Sequence, residues 1–447
     1  MLVSSFKDVI LYQYERSRGW FMTKNFRTTL VDNGRGSYSS EMSRNGLFVI
    51  VGSPNNPAQG FDTGAAQIFK FEQGNWVQIS ITLIGDKSGD LFGFSVHISN
   101  HAERVVVGAP GGGYARAFTY KNGMWISTPD HNLGDHLPDS GFGYAVSISG
   151  SGQKAVVGSP FYNSARGMVR AYDLDHHENT QQISGQFPQS QWGAEVAITE
   201  DAMTLALSAP KLGYVKVYRF NQLLHMWEQV GFDIVLTGEG FGTSLAISGD
   251  GTNIAVGAPG NSLYGDNAGA GYILEYDPLP VNEGWVLDGQ WKLKGSPFFG
   301  KNEGDRCGES IAFSDNGKRV VTSCPGSNAG GFNTGELCVL MEPITGDDDD
   351  FIQPTPAPTN SNNNPSSSLS PAPSVELVGS GGLDEGQEVE TSVFVFQIIF
   401  GLVGMIITFL GGIFAGGCLG GGIFLGSSDC CGYWLYDLWY YWGYHHQ

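Results

Sequence analysis

Apolar and polar residues alternate in short runs along most of the chain. In Phe94-Ser95-Val96-His97-Ile98-Ser99 every second residue is apolar, the spacing of a strand with one buried face. Shortly after it, Val105-Val106-Val107 is continuously apolar, as expected of a strand covered on both faces. A loop rich in Gly and Asn then leads to a third run, seen in Gln67-Ile68-Phe69-Lys70-Phe71, Arg116-Ala117-Phe118-Thr119-Tyr120 and Val215-Lys216-Val217-Tyr218. A fourth strand is expected near Trp76, Trp125, Trp227 and Trp285. Each period therefore predicts four short antiparallel strands.

The period is carried by a signature. An aromatic-Gly-x-Ser/Ala-apolar opening precedes, by about 17 residues, a stop of the Gly-Ala-Pro or Gly-Ser-Pro kind, clearest as Phe92-Gly93-Phe94-Ser95-Val96 with Gly108-Ala109-Pro110. The stop prolines are Pro54, Pro110, Pro160, Pro210, Pro259 and Pro325, so by difference of residue number successive copies stand 49 to 66 residues apart. Such periods belong to solenoids, propellers and arrays. A lone four-stranded sheet leaves an apolar face unburied, and radial closure into a β-propeller covers it. The glycines suit close approach near a crowded axis, and proline ends a strand because it donates no ladder hydrogen bond. The recurring residues are thus scaffold and poor candidates for catalysis.

These motifs resemble the FG-GAP repeats of the integrin α-subunit propeller. They are still more similar to repeats with a Gly-Asp-x-x-Gly opening in large algal and bacterial surface proteins. The matching residues include Gly89-Asp90-Leu91-Phe92-Gly93, Phe241-Gly242-Thr243-Ser244-Leu245 and Gly304-Asp305-Arg306-Cys307-Gly308. The resemblance covers about residues 9 to 342 and implies an all-β propeller of six or seven blades. It also implies that partners bind where second strands pass to third strands and one blade passes to the next. Some blades of that family carry an Asp-x-Asp-x-Asp-Gly calcium loop. Here the hairpins are closed by segments such as Ser149-Gly150-Ser151-Gly152 and Ser248-Gly249-Asp250-Gly251, which offer too few oxygens for calcium. No metal and no cofactor is expected.

Ile10-Leu11-Tyr12-Gln13-Tyr14 followed by Trp20 fits a third and fourth strand, with too few residues before it for the first two. Seven blades with an incomplete first one is the preferred count, and six blades with an extra hairpin the alternative. The reading favoured for this end is a sequence shortened at its start, having lost a signal peptide and half a blade. The last blade has no convincing fourth strand, which an N-terminal strand is expected to supply.

The propeller is assigned to residues 1–345 and an acidic, Pro/Ser/Thr/Asn-rich linker or stalk to 346–390. Residues 391–425 are almost wholly apolar and are assigned to one transmembrane helix; 426–447 form an aromatic-rich tail. Gly412, Gly416 and Gly420 recur every four residues, a pattern that lets helices pair and suggests a homodimer. No Lys or Arg follows Arg319, so charge does not set the topology. The expected location is the plasma membrane with the propeller outside; the alternative is a tail anchor with a cytosolic propeller.

The net charge of −20 argues against nucleic acid as a partner. Cys307 replaces the opening aromatic and Cys324 the stop alanine of the last copy, facing positions where a disulfide or two buried thiols would fit. No Gly-x-Ser-x-Gly, His-Glu-x-x-His, Cys-x-x-Cys or phosphate-loop motif occurs. Candidate binding residues lie in the loops: Asp62, Asp90, Asp139, Phe161, Glu239, Tyr264, Asp266, Asn267 and Asp305. Gly, Asn and Asp also shape turns, whereas Phe161 and Tyr264 are apolar in polar surroundings and suit contact. The expected function is recognition of a protein or glycan at the cell surface, without catalysis. The alternatives are a propeller enzyme acting on extracellular polysaccharide, or an accessory propeller of a longer enzyme.

Overall fold

The computed structural model describes residues 2–4, 9–15, 19–26, 38–127, 132–134, 137–176, 180–236, 240–278, 289–314, 317–328, 335–341 and 374–377. The chain divides into two units, Met1–Ser380 and Gly381–Gln447; the second lies outside the described residues. Seven sheets form the first unit as the blades of a β-propeller.

Blade 3 is representative. Val96–Ile98 pairs with Arg104–Ala109, which pairs with Tyr114–Lys121, which pairs with Met124–Ile126, all antiparallel. The first strands of successive blades are neighbours around the axis: Ser39–Met42, Val96–Ile98, Val146–Ile148, Val196–Ile198, Ser244–Ile247 and Ile311–Phe313. The apolar run of each second strand follows from this stacking. Val105 and Val107 pack back onto Ile50 and Ile68 of blade 2, whereas Val106 packs forward onto Phe142, Val146 and Ile148 of blade 4. With one blade on each side, neither face of that strand meets water. The opening aromatics Phe92, Phe142, Trp192 and Phe241 are buried wedges between blades.

The inner edge of each blade would expose ladder groups at the axis, and side chains of the preceding blade cap some of them. Ser95 Oγ accepts from Val146 N at 3.1 Å, and Ser147 Oγ accepts from Ile198 N at 3.3 Å. Ser39 Oγ and Ser244 Oγ donate to Gly93 O and Gly308 O, each at 2.7 Å. The signature serine, as Ser95 or Ser244, is therefore a fastener between blades, and Ser147, two places further on, acts likewise.

The structure adds two details at the ends. Leu2–Ser4 pairs with Val9–Glu15 in the register of a second strand, Leu2 opposite Leu11 as Ile50 is opposite Ile68. The first sheet thus has three described strands and none in the axial place. In the last blade, Ser374–Leu377 lies parallel to Glu336–Met341, so a strand from the stretch read as a stalk takes the place expected for the N-terminus. The fourth strand of blade 6 is Gln290–Leu293, with Trp291 opposite Tyr276 as Trp227 is opposite Phe220. Trp285, expected to mark that strand, lies outside the described residues, and the strand carries Trp291 instead. The apolar stretch 391–425, including Gly412, Gly416 and Gly420, is also outside them; among the described residues no helix is long and apolar enough to cross a membrane.

Candidate binding face and axial cavity

The loops from second to third strand and the connections between blades share one face, and backbone hydrogen bonds lock them together. Asp62 adopts φ 52°, and its carbonyl accepts from Leu91 N at 3.1 Å; Asn267 adopts φ 50°, and its carbonyl accepts from Arg306 N at 3.0 Å. Gly64 and Gly269 each bridge the opening residue of the next blade, Phe92 and Cys307. A Cβ on Gly64 would lie 2.2 Å from Phe92 O, so only glycine permits this approach.

The predicted residues fall at three separate blade junctions. At the junction of blades 2 and 3, Asp90 is buried, and its Oδ2 accepts from Asp86 N at 2.9 Å, Lys87 N at 2.8 Å and Tyr114 Oη at 2.9 Å. Asp62 beside it is half-buried and accepts from Asn55 Nδ2 at 3.3 Å. Between blades 3 and 4, Asp139 is exposed in the 3-10 turn Pro138–Ser140, and Phe161 donates its N–H to Ser140 O at 3.0 Å. Between blades 6 and 7, Asp305 is buried, and its Oδ2 accepts from Lys301 N and Asn302 N at 3.0 and 2.9 Å. Tyr264 sets its ring at a tilt against Phe299, centroids 4.8 Å apart, while Asp266 and Asn267 are exposed. Glu239 lies outside the described residues. Asp90 and Asp305 therefore shape loops, and what reaches solvent is Asp139, Phe161, Tyr264, Asp266 and Asn267.

Cys307 and Cys324 are joined in a disulfide, with Cα atoms 3.9 Å apart. Ser99, Ser149, Thr199, Ser248 and Ser314 close the hairpins between first and second strands, each accepting a backbone N–H about five residues on. Asp201 and Asp250 accept from the hydroxyls of Thr199 and Ser248, both at 2.6 Å. Among the described residues no group of three or more His, Cys, Asp or Glu is placed to hold a metal.

Along the axis the structure shows residues that the repeat masked. A cavity of about 800 Å³ is lined by all seven blades, including Glu41, His97, Asn100, Thr199 and Ser310. Part of its wall is Val321, Leu337 and Val339, whose counterparts Val106, Ala115 and Ala117 are covered by the next blade. Burial pushes the Glu41 carboxyl up to about 7 and the His97 imidazole down to about 4. Arg44 pairs with Glu200, joining hairpins of blades 2 and 5. Nearer the loop face, Phe94, Tyr144 and Phe161 make a chain of rings 4.9 and 5.6 Å apart. Burial raises Tyr144, with a further push from the charge of Glu195, and burial alone drives Glu195 up to about 8. Glu195 stands where other copies have Ser95 or Ser244, and His97 where they have Ser147 or Ala197. Column-by-column comparison of the copies carries that signal.

Residues 235–274, from before the blade 6 opening into its third strand, match the family model of the FG-GAP repeat. This segment is similar to an FG-GAP repeat. That match lies within one blade of the seven-bladed ring. No curated protein matches the chain. Among solved structures, the chain is similar to hydrazine synthase of Kuenenia stuttgartiensis, at 12% identity and TM-score 0.41, over 64% of this chain and 73% of that one. It is likewise similar to a functionally unknown protein from Desulfotomaculum acetoxidans DSM 771, at 13% identity and TM-score 0.42, over 65% and 84%. Neither similarity carries functional content for this chain.

Proposed function

We propose that this chain is a membrane-anchored binding protein of the cell surface whose propeller recognises a protein or glycan without catalysing a reaction. One observation carries the reading. On the loop face, backbone hydrogen bonds fix the loops while apolar side chains stay exposed at their tips: Phe61 at 56%, Phe161 at 41%, Leu263 at 68% and Tyr264 at 63%. Rigid loops presenting aromatic anchors bind at low entropic cost. Membrane attachment rests on the apolar sequence from Val393 to Phe414, and the outward-facing propeller on the linker before it and the likeness to surface-protein repeats.

Glycan-array and pull-down binding with the full chain tests recognition. The Phe61→Ser/Phe161→Ser/Tyr264→Ser variant is expected to bind any captured ligand at least about tenfold more weakly, a loss of about 1.4 kcal/mol. Equal binding by the variant would overturn the loop-face assignment. Staining of intact cells with an antibody to the propeller should succeed without permeabilisation; staining only after permeabilisation favours the cytosolic arrangement.

A further inference from the structure

The last blade departs from its siblings by concentrating sulfur where they concentrate carbon. Cys307, Cys324 and Cys338 form one buried cluster with Phe298. Cys307 belongs to the blade opening, Cys324 ends the second strand, and Cys338 sits within the third. In the strand ladder Cys324 is opposite Glu336 and Cys338 opposite Thr322, so Cys324 and Cys338 are diagonal neighbours on one sheet face. The Cys338 Sγ lies 3.9 Å from Cys324 Sγ while Cys324 is bonded to Cys307. A disulfide spans about 2 Å, so the third sulfur needs a shift of only about 2 Å to replace the first.

We propose that Cys324 is shared between two exchanging disulfides, Cys307–Cys324 and Cys324–Cys338. Cys338 gives up its thiol proton, and the thiolate attacks Cys324 Sγ. The Cys324–Cys338 bond forms as the Cys307–Cys324 bond breaks. The electron pair leaves on Cys307, which takes up a proton. Nothing is oxidised or reduced overall, so no external oxidant or reductant is needed.

The two isomers hold different parts of the blade. Cys307–Cys324 ties the opening loop to the second strand, whereas Cys324–Cys338 ties together two strands already paired. That opening loop is also what grips blade 6: Gly304 N, Arg306 N and Cys307 N donate to Asp266 O, Asn267 O and Ala268 O at 2.8, 3.0 and 3.0 Å. Exchange therefore releases a covalent anchor behind the loop that presents Tyr264. The exchange stands independently of which ligand, if any, that loop binds.

Disulfide mapping of the full chain tests it. The protein is held near pH 8, quenched in acid, alkylated and digested without reduction, and linked peptides are identified by mass spectrometry. Both linkages are expected, with Cys307 alkylated in the fraction that carries Cys324–Cys338. Finding only Cys307–Cys324, with Cys338 fully alkylated at every time, would overturn the proposal. In Cys307→Ser the Cys324–Cys338 bond should form under mild oxidation, and two fully alkylable thiols in that variant would also overturn it. Wild-type mapping decides even if the variant does not fold. Amide exchange in residues 259–269 and 300–308 should be about tenfold faster in Cys307→Ser than in Cys338→Ser, in which only the first disulfide can form. Equal rates would refute the coupling to blade 6.

Discussion

Adding one methyl group at Gly108 should force two blades apart. A Cβ there would lie 2.0 Å from Gly143 O and 3.3 Å from Val146 Cγ1. Ordinary non-bonded contact is about 3.5 Å, so the Gly143 peptide must retreat by roughly 1.5 Å. It has little room to do so. Gly143 N donates to Gly158 O at 3.0 Å, and a Cβ on Gly143 would be 2.3 Å from Tyr114 O. Overpacking of this kind costs about 1–3 kcal/mol, and a broken buried hydrogen bond adds about 1 kcal/mol. The lower unfolded-state entropy of alanine offsets about 0.4–1 kcal/mol. Gly108→Ala is thus expected to destabilise by about 2–3 kcal/mol, read as a lowered urea midpoint in tryptophan fluorescence. Ser208 is the natural comparison, since it holds the equivalent place in blade 5 and the chain already accommodates its Cβ. Ser208→Gly, which creates no clash, should cost about 1–2 kcal/mol from chain entropy and the lost bond from Glu195 N, with the blade spacing unchanged. If Gly108→Ala stays within about 0.5 kcal/mol of wild type, contact at the glycine does not set the blade spacing.

Asp90→Ala should destabilise by about 2–4 kcal/mol in the same assay, because it strips a buried acceptor from two amides and Tyr114; an effect under about 0.5 kcal/mol would return Asp90 to the list of binding residues. Burial raises the folded-state carboxyl of Glu195 from 4.5 to about 8, so its contribution is full below pH 4.5 and is lost as pH rises toward 8. Glu195→Gln should therefore gain on wild type steadily from pH 5 to pH 8 in thermal unfolding, and a pH-independent gap would refute the assignment. His97 behaves oppositely: its folded value falls from 6.5 to about 4, so stability is full above pH 6.5 and is lost as pH falls toward 4. His97→Gln should flatten that acid limb, and an unchanged limb would place the titrating group elsewhere. Phe61→Ser should leave the urea midpoint unchanged, since the ring is largely exposed; a marked loss would show that it packs rather than recognises.

Much of the architecture was legible because it repeats. Phe92, Phe142, Trp192 and Phe241 recur every 49 or 50 residues, and each fills the same gap between blades. The strand count followed from alternation in residues such as Val96 and Ile98, and the turn chemistry from Ser99 and Ser149, since these depend on near neighbours in the chain. Asp90 and Asp305 were harder, because the same residue types shape loops and bind ligands. Only their burial and bonded amides separate the two roles.

By itself, then, the sequence determined a ring of four-stranded blades, because strand period and wedge residues are local properties repeated in register. The tertiary structure decided what local pattern does not contain. It set Leu2–Ser4 in a second-strand register, brought Glu41 and His97 to one axial cavity, and paired Arg44 with Glu200 from hairpins 156 residues apart in the chain. It also put Cys338 within 3.9 Å of Cys324. Those neighbours meet because the ring closes around an axis, and closure is a relation among blades that no single repeat records.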